Sequence, residues 1–153
     1  MELLPHPESL LPPGRPPRSP INILDGLLRQ GVQCQREGRL PDAERVYRRI
    51  LAIDPRHAAT LYRLGTLAHK VGHLEAAAHL VAAAIAVDPL VPAYHCAWAA
   101  LLLAQGRSLE AAAAYRHALS LDPTSAVALV NLEALGAARV HAPHPLGQVL
   151  DIA

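Results

Sequence analysis

The sequence predicts an all-α fold: an α-solenoid of three helical hairpins closed by a C-terminal capping helix. Three observations predict it. The first is an internal period, since Asp54-Pro55, Asp88-Pro89 and Asp122-Pro123 follow one another at steps of 34 residues, as do Gly38, Gly72 and Gly106. Ala43, Ala77 and Ala111 repeat at that step too, with the large apolar Tyr47, Val81 and Tyr115 four positions further on. Independent columns sharing one period mark stacked repeats, each a supersecondary unit that buries its apolar face against its neighbours. The second observation is composition. The chain is 52% hydrophobic, yet it has no phenylalanine, and only Trp98 and four tyrosines supply aromatic bulk. Alanine and leucine suit close helix packing, whereas sheets favour β-branched and aromatic residues. The third is the placing of the breakers, with glycine inside each unit and Asp-Pro at its end.

Taken in order, the expected helices lie near 22–37, 41–53, 57–71, 75–87, 91–105, 109–121 and 125–139. Gly38, Gly72 and Gly106 end the first helix of each hairpin, where a positive φ is least costly for glycine. Small residues at 31, 65 and 99 leave room for the neighbouring helix. Ala43, Ala77 and Ala111 stand where the second helix crosses back over the first. Each Asp-Pro step stops the second helix, because the residue before proline is pushed out of the α region, and the proline is expected to open the next helix near its first turn. The last helix carries Leu129 and Leu132, but Glu133 replaces the small residue, which suits a solvating cap.

The domain plan follows. Residues 1–20, with seven prolines, form a disordered leader; residues 21–140 form the solenoid, with repeats at about 24–57, 58–91 and 92–125 and a cap at 125–139; residues 141–153 form a flexible tail. The leader's Pro12-Pro13-Gly14-Arg15-Pro16-Pro17 run is either a linker or a polyproline ligand. Val149-Leu150-Asp151-Ile152 in the tail, or the first helix, offers a route to self-association.

These columns resemble the tetratricopeptide repeat family, whose 34-residue pattern is W-x2-L-G-x2-Y, then A-x3-F, then P. In the second repeat Leu61, Leu64-Gly65, Ala68, Ala77, Val81 and Pro89 take those places in turn. The first repeat supplies Leu27, Gly31, Cys34, Ala43, Tyr47 and Pro55, with Gln30 in the leucine place. In the third repeat His95 and Trp98 come first, Ala99 replaces the glycine, and Leu102, Ala111, Tyr115 and Pro123 follow. The match runs from about residue 22 to 139.

Composition and motifs exclude several function classes. A net charge of +1 gives no field to gather nucleic acid or an anionic membrane surface. No uninterrupted apolar stretch has membrane-spanning length, and the first residues lack a basic-then-apolar secretion signal. Cys34 and Cys96 form neither a disulfide framework nor a metal knuckle, which fits a reducing cytoplasm. His69 and His73 are four residues apart but straddle Gly72, where the helix ends, so no metal or other cofactor is expected. No phosphate loop, nucleophile elbow or H-E-x-x-H motif occurs, and Cys34 sits in a packing column, so the chain is not expected to be an enzyme.

Surface recognition remains, with a protein or peptide as partner. The resemblance implies that the first helices of successive repeats line a concave groove. The candidate groove residues are Leu28, Arg29, Val32, Arg36, Tyr62, Arg63, Thr66, His69 and Lys70 from the first two repeats, and Cys96, Ala97, Ala100, Leu103, Val130 and Asn131 beyond them. The groove therefore grades from basic to apolar, which suits a peptide or helix with an acidic end and an apolar end. The alternative is that the arginines only solvate the surface. The chaperone-tail clamp of lysines and asparagines found in some members is missing: its places hold Leu28, Val32, Arg63, Ala93 and Ala97. A second reading comes from the Glu37–Glu44 and Arg48–Pro55 runs, which resemble repeats that bacterial proteins fuse to glycosyltransferase or methyltransferase domains. The asparagine ladder of the O-linked N-acetylglucosamine transferase family has one match among Arg29, Arg63, Ala97 and Asn131. A substrate-recruiting module without catalysis of its own is thus the alternative.

Overall fold

The computed structural model describes residues 20–140, with side chains from 23 to 136. The expected tail and the leader up to residue 19 lie outside it; Pro20 lies inside and opens a helix. Among the described residues there are seven helices: α1 Pro20–Arg36, α2 Leu40–Ile53, α3 Ala58–Lys70, α4 Leu74–Val87, α5 Pro92–Ala104, α6 Ser108–Leu121 and α7 Ala126–Val140. Every expected helix is present within two residues of its expected ends. Proline as the first residue of α1 loses nothing, because the first N–H groups of a helix have no partner within it.

The three hairpin turns are built identically. Gly38, Gly72 and Gly106 adopt φ of 75°, 87° and 76°, and among the described residues no other residue type has positive φ. Each is the left-handed residue of a Schellman turn. The N–H of Arg39 reaches Cys34 O at 2.9 Å, that of His73 reaches Ala68 O at 2.8 Å and that of Arg107 reaches Leu102 O at 2.9 Å.

The Asp-Pro steps work differently from the expectation. None of Pro55, Pro89 and Pro123 is a helical residue; each lies in the turn, and α3, α5 and α7 begin three residues later, at Ala58, Pro92 and Ala126. The aspartate does the work. Asp54, Asp88 and Asp122 each cap the preceding helix in extended backbone. Their Oδ1 atoms then accept the N–H two residues on, from Arg56 at 3.0 Å, Leu90 at 3.2 Å and Thr124 at 3.0 Å. Such an Asx turn carries the chain over the gap before the next helix. His57 extends the device in the first repeat, its Nδ1 accepting from the N–H of Thr60 at 3.3 Å as the N-cap of α3.

Each hairpin closes on itself, α1 on α2, α3 on α4 and α5 on α6, and successive hairpins meet through α2–α3, α4–α5 and α6–α7. The small-residue column explains the closeness. A Cβ on Gly31 would fall 2.4 Å from the Tyr47 ring, and one on Gly65 would fall 2.8 Å from Val81 Cγ2. Tyr47 and Val81 are fully buried and Tyr115 is 2% exposed.

Both ends of the stack are solvated. Gln30 and Gln33 of α1 are exposed at the places where α3 buries Leu64 and Leu67, and Glu133 of α7 is exposed where a further second helix would pack. A short solenoid needs polar terminal faces, a need α1 meets more fully than α7, which also exposes Val127, Leu129 and Val130.

Candidate partner-binding groove

The first helices of successive hairpins share one face, and between α3, α5 and α7 that face opens into a cleft of about 550 Å³. Seven of the candidate groove residues line it: Tyr62, Thr66 and His69 from α3, Cys96, Ala97 and Ala100 from α5, and Asn131 from α7. Comparison of the repeats explains why the cleft lies here. Arg63 holds the column of Ala97 one repeat earlier, its guanidinium 5.6 Å from the Tyr62 ring centroid. The Tyr62 ring in turn stacks on Tyr94 with centroids 5.0 Å apart. Alanine at 97 carries no such side chain into the cleft.

The other candidates are placed as follows. Arg29, Arg36 and Lys70 are exposed outside the cleft, and Val32 is half-buried. Leu28 packs against the core around Tyr47, and Leu103 against the core around Tyr115. Val130 is exposed. Cys96, expected at the surface, is buried, because the turn before α7 lies over it and brings Ser125 Oγ to 3.9 Å from its Sγ. Burial pushes the Cys96 thiol up, with the Ser125 hydrogen bond opposing and Asp122 adding to the rise. A thiol held protonated is a poor nucleophile.

Tyr115 is the lining residue that the repeat columns hid. In the first repeat the equivalent hydroxyl, on Tyr47, donates to Gln35 Oε1 at 2.8 Å. Leu103 occupies the place of Gln35 in the third repeat, so Tyr115 has no such acceptor. Tyr115 is 2% exposed and lines the cleft, and among the described residues no fully buried side-chain oxygen lacks a partner. Its hydroxyl is therefore not a sealed, unpartnered group. Burial pushes the Tyr115 phenol up, and Cys96 beside it adds to the rise. Three of the cleft's other polar side chains are held by their own elements. Thr66 Oγ1 donates to Arg63 O at 2.9 Å, and Asn131 Nδ2 donates to Val127 O at 2.7 Å, which leaves Asn131 Oδ1 as an acceptor. Asp122 is held below the usual carboxylate range by the Thr124 hydroxyl and backbone N–H.

A second hollow, about 520 Å³, lies on the other side of the sheet of helices, between α2 and α4 over Leu64, Leu67 and Ala68. One repeat on, the larger Trp98 and Leu102 stand where Leu64 and Ala68 do, and Trp98 packs against two cores. His73 lines this hollow while His69 lines the cleft, so the two histidines face different surfaces. Among the described residues no three His, Cys, Asp or Glu side chains gather as a metal set. No helix among them is long and apolar enough to cross a membrane.

The comparisons with known proteins agree with this architecture. No curated protein matches the sequence. Among solved structures, the Thermobaculum terrenum O-GlcNAc transferase superposes with a TM-score of 0.71 at 31% identity, over 73% of this chain. This chain spans only 22% of that enzyme chain. The Yersinia enterocolitica type III secretion chaperone SycD, in complex with a peptide of the translocator YopD, gives 0.69 at 20% identity, covering 77% of this chain and 95% of its own. The first repeat domain of Spaghetti (RPAP3), bound to an HSP90 peptide, gives 0.70 at 18% identity over 76% of this chain and 93% of its own. The last two show the fold alone. Two tetratricopeptide repeat family models match, one over residues 35–101 and one over 94–125. With the helical hairpins, their Schellman turns and the small-residue columns, these matches show that the chain belongs to the tetratricopeptide repeat family.

Proposed function

We propose that this chain is a non-catalytic protein-interaction scaffold that holds a peptide or helix of a partner in the groove of α1, α3, α5 and α7. The observation that carries the reading is the open cleft on that face, lined by Ala97 in the column that Arg63 holds one repeat earlier. Arg29, Arg63 and Lys70 at one end and Ala97, Ala100 and Val130 at the other give the groove a basic and an apolar end. An acidic-to-apolar segment complements it, the charges contributing steering and register more than affinity. SycD and RPAP3, similar in fold, are each solved with a peptide, which supports the same use here. Two buried free cysteines suit a reducing cytoplasm, and a bacterial setting rests on the wording of the first repeat.

A second reading has one observation in its favour, the 31% identity to an O-GlcNAc transferase. In it the chain recruits substrates to a glycosyltransferase or methyltransferase. Asn131 is the single ladder residue present, and its amide N–H is already bonded within α7.

The test is affinity capture from the native cell lysate with wild-type chain and with the Arg29→Glu, Arg63→Glu, Lys70→Glu variant. A partner held by the wild type and reduced at least about tenfold by the variant is the expected result, a tenfold loss being 1.4 kcal/mol. Equal recovery would contradict groove binding. Recovery of a transferase would favour the second reading, and recovery of the chain itself would assign the exposed Val127, Leu129 and Val130 of α7 to self-association.

A further inference from the structure

We propose that the cleft between α3, α5 and α7 is a pocket for one neutral, apolar side chain of a bound peptide, whose adjoining peptide group is read by Tyr115 and Asn131. The inference rests on the groove reading above and adds the chemistry of the residue accepted.

Three features of the cleft point to that occupant. Ala93, Ala97, Ala100 and Val127 give it small apolar walls, with Tyr62, Thr66 and His69 along the α3 edge, and no arginine or lysine lines it. A carboxylate or phosphate entering it would meet neither arginine nor lysine, only the imidazole of His69 at the α3 edge, and would approach Asp122, whose carboxylate accepts from the Thr124 hydroxyl and backbone N–H. A branched or thioether side chain would instead exchange water for apolar contact. Tyr115 lines the cleft on a side chain 2% exposed, and its hydroxyl is without the partner that Tyr47 has in Gln35. A hydroxyl so placed gains most from a neutral acceptor such as a peptide carbonyl. On the α7 side Asn131 Oδ1 is an acceptor, its Nδ2 being bonded to Val127 O. A phenolic donor and an amide acceptor together match the C=O and N–H of a peptide unit. The first two repeats lack this combination, because Arg63 stands where Ala97 does and Gln35 satisfies Tyr47.

The probe is the blocked tripeptide Ac-Ala-Leu-Ala-NH2, titrated into the ¹⁵N-labelled 153-residue chain and followed by amide chemical shifts. Ac-Ala-Ala-Ala-NH2 and Ac-Ala-Glu-Ala-NH2 serve as comparisons. Saturable shifts are expected at Ala97, Ala100, Ser125 and Asn131, with the leucine peptide about tenfold tighter than the alanine peptide and the glutamate peptide weakest. Tyr115→Phe, which keeps the ring and removes only the hydroxyl, is expected to weaken binding about fivefold. Ala97→Arg, which installs the residue α3 carries at that place, is expected to abolish it while thermal melting confirms the fold. Equal binding of the leucine and glutamate peptides, or no effect of Tyr115→Phe, would overturn the proposal. So would the absence of saturable shifts at the cleft. Shifts confined to α1 and to Arg63 would overturn the pocket and leave the groove reading standing; shifts confined to α2, α4 and α6 would overturn both.

Discussion

Tyr47→Ala is expected to cost about 3–5 kcal/mol of stability, the largest effect of any single substitution in the chain. The ring is fully buried, and it fills the space that Gly31 leaves between α1 and α2. It anchors the core that Cys34, Ala43, Ile50, Leu64 and Leu67 share, so its loss opens the first hairpin and the contact of that hairpin with α3 together. Alanine at 43 and glycine at 31 are too small to collapse into the gap, which leaves the cavity term nearly whole. Since domains of this size are stable by about 5–15 kcal/mol, the variant retains only a fraction of the original margin. Urea or thermal unfolding followed by far-UV circular dichroism reads the effect. Tyr47→Phe separates ring from hydroxyl, because it removes only the Gln35 hydrogen bond and is expected to cost about 1 kcal/mol. An equal, small loss for both variants would show that the ring is not what holds the hairpin.

Gly65→Ala and Gly26→Ala are expected to change stability in opposite directions. Both glycines lie within helices, where alanine is intrinsically better by about 1 kcal/mol. At Gly26 no described atom lies within 4 Å of the new methyl group, so propensity alone acts and the variant gains stability. At Gly65 the methyl group meets Val81 Cγ2 at 2.8 Å, Leu80 Cβ at 3.2 Å and the Ala77 carbonyl oxygen at 3.3 Å. Backbone cannot yield as a side chain can. The α3–α4 hairpin has to open, and overpacking of this kind costs about 1–3 kcal/mol. Adding Val81→Ala relieves the closest contact and is expected to recover part of the loss, which a double-mutant cycle measures as coupling. If Gly65→Ala stabilised the chain, close approach of the two helices would not be the reason for the glycine.

Most of the fold was legible because it is written in columns. A period of 34 residues, positive-φ glycines and a small-residue place each have one physical reading, and seven helices followed within two residues of their expected ends. The Asp-Pro step was half legible. Proline's steric effect on the preceding residue is local and readable, but the aspartate's hydrogen bond to the N–H two residues on was masked by the more familiar rule. The groove was less legible still. Neighbours of the packing columns on α1, α3 and α5 are a set, and the sequence alone does not say which of them a given helix spacing uncovers. Leu28 and Leu103 sit on core-facing sides, and Cys96 lies under the turn before α7. Tyr115 was assigned wholly to packing, although Leu103 at the place of Gln35 was a readable sign that its hydroxyl had lost a partner.

The most direct measurement of the groove claim is amide hydrogen–deuterium exchange on the chain, free and saturated with the partner recovered by capture. The account predicts slowed exchange along α3, α5 and α7, strongest from Ala93 to Ala100 and around Asn131, with α2, α4 and α6 little changed. Protection confined to α2, α4 and α6, around the hollow over Leu64 and Leu67, would contradict it and place recognition on the opposite face.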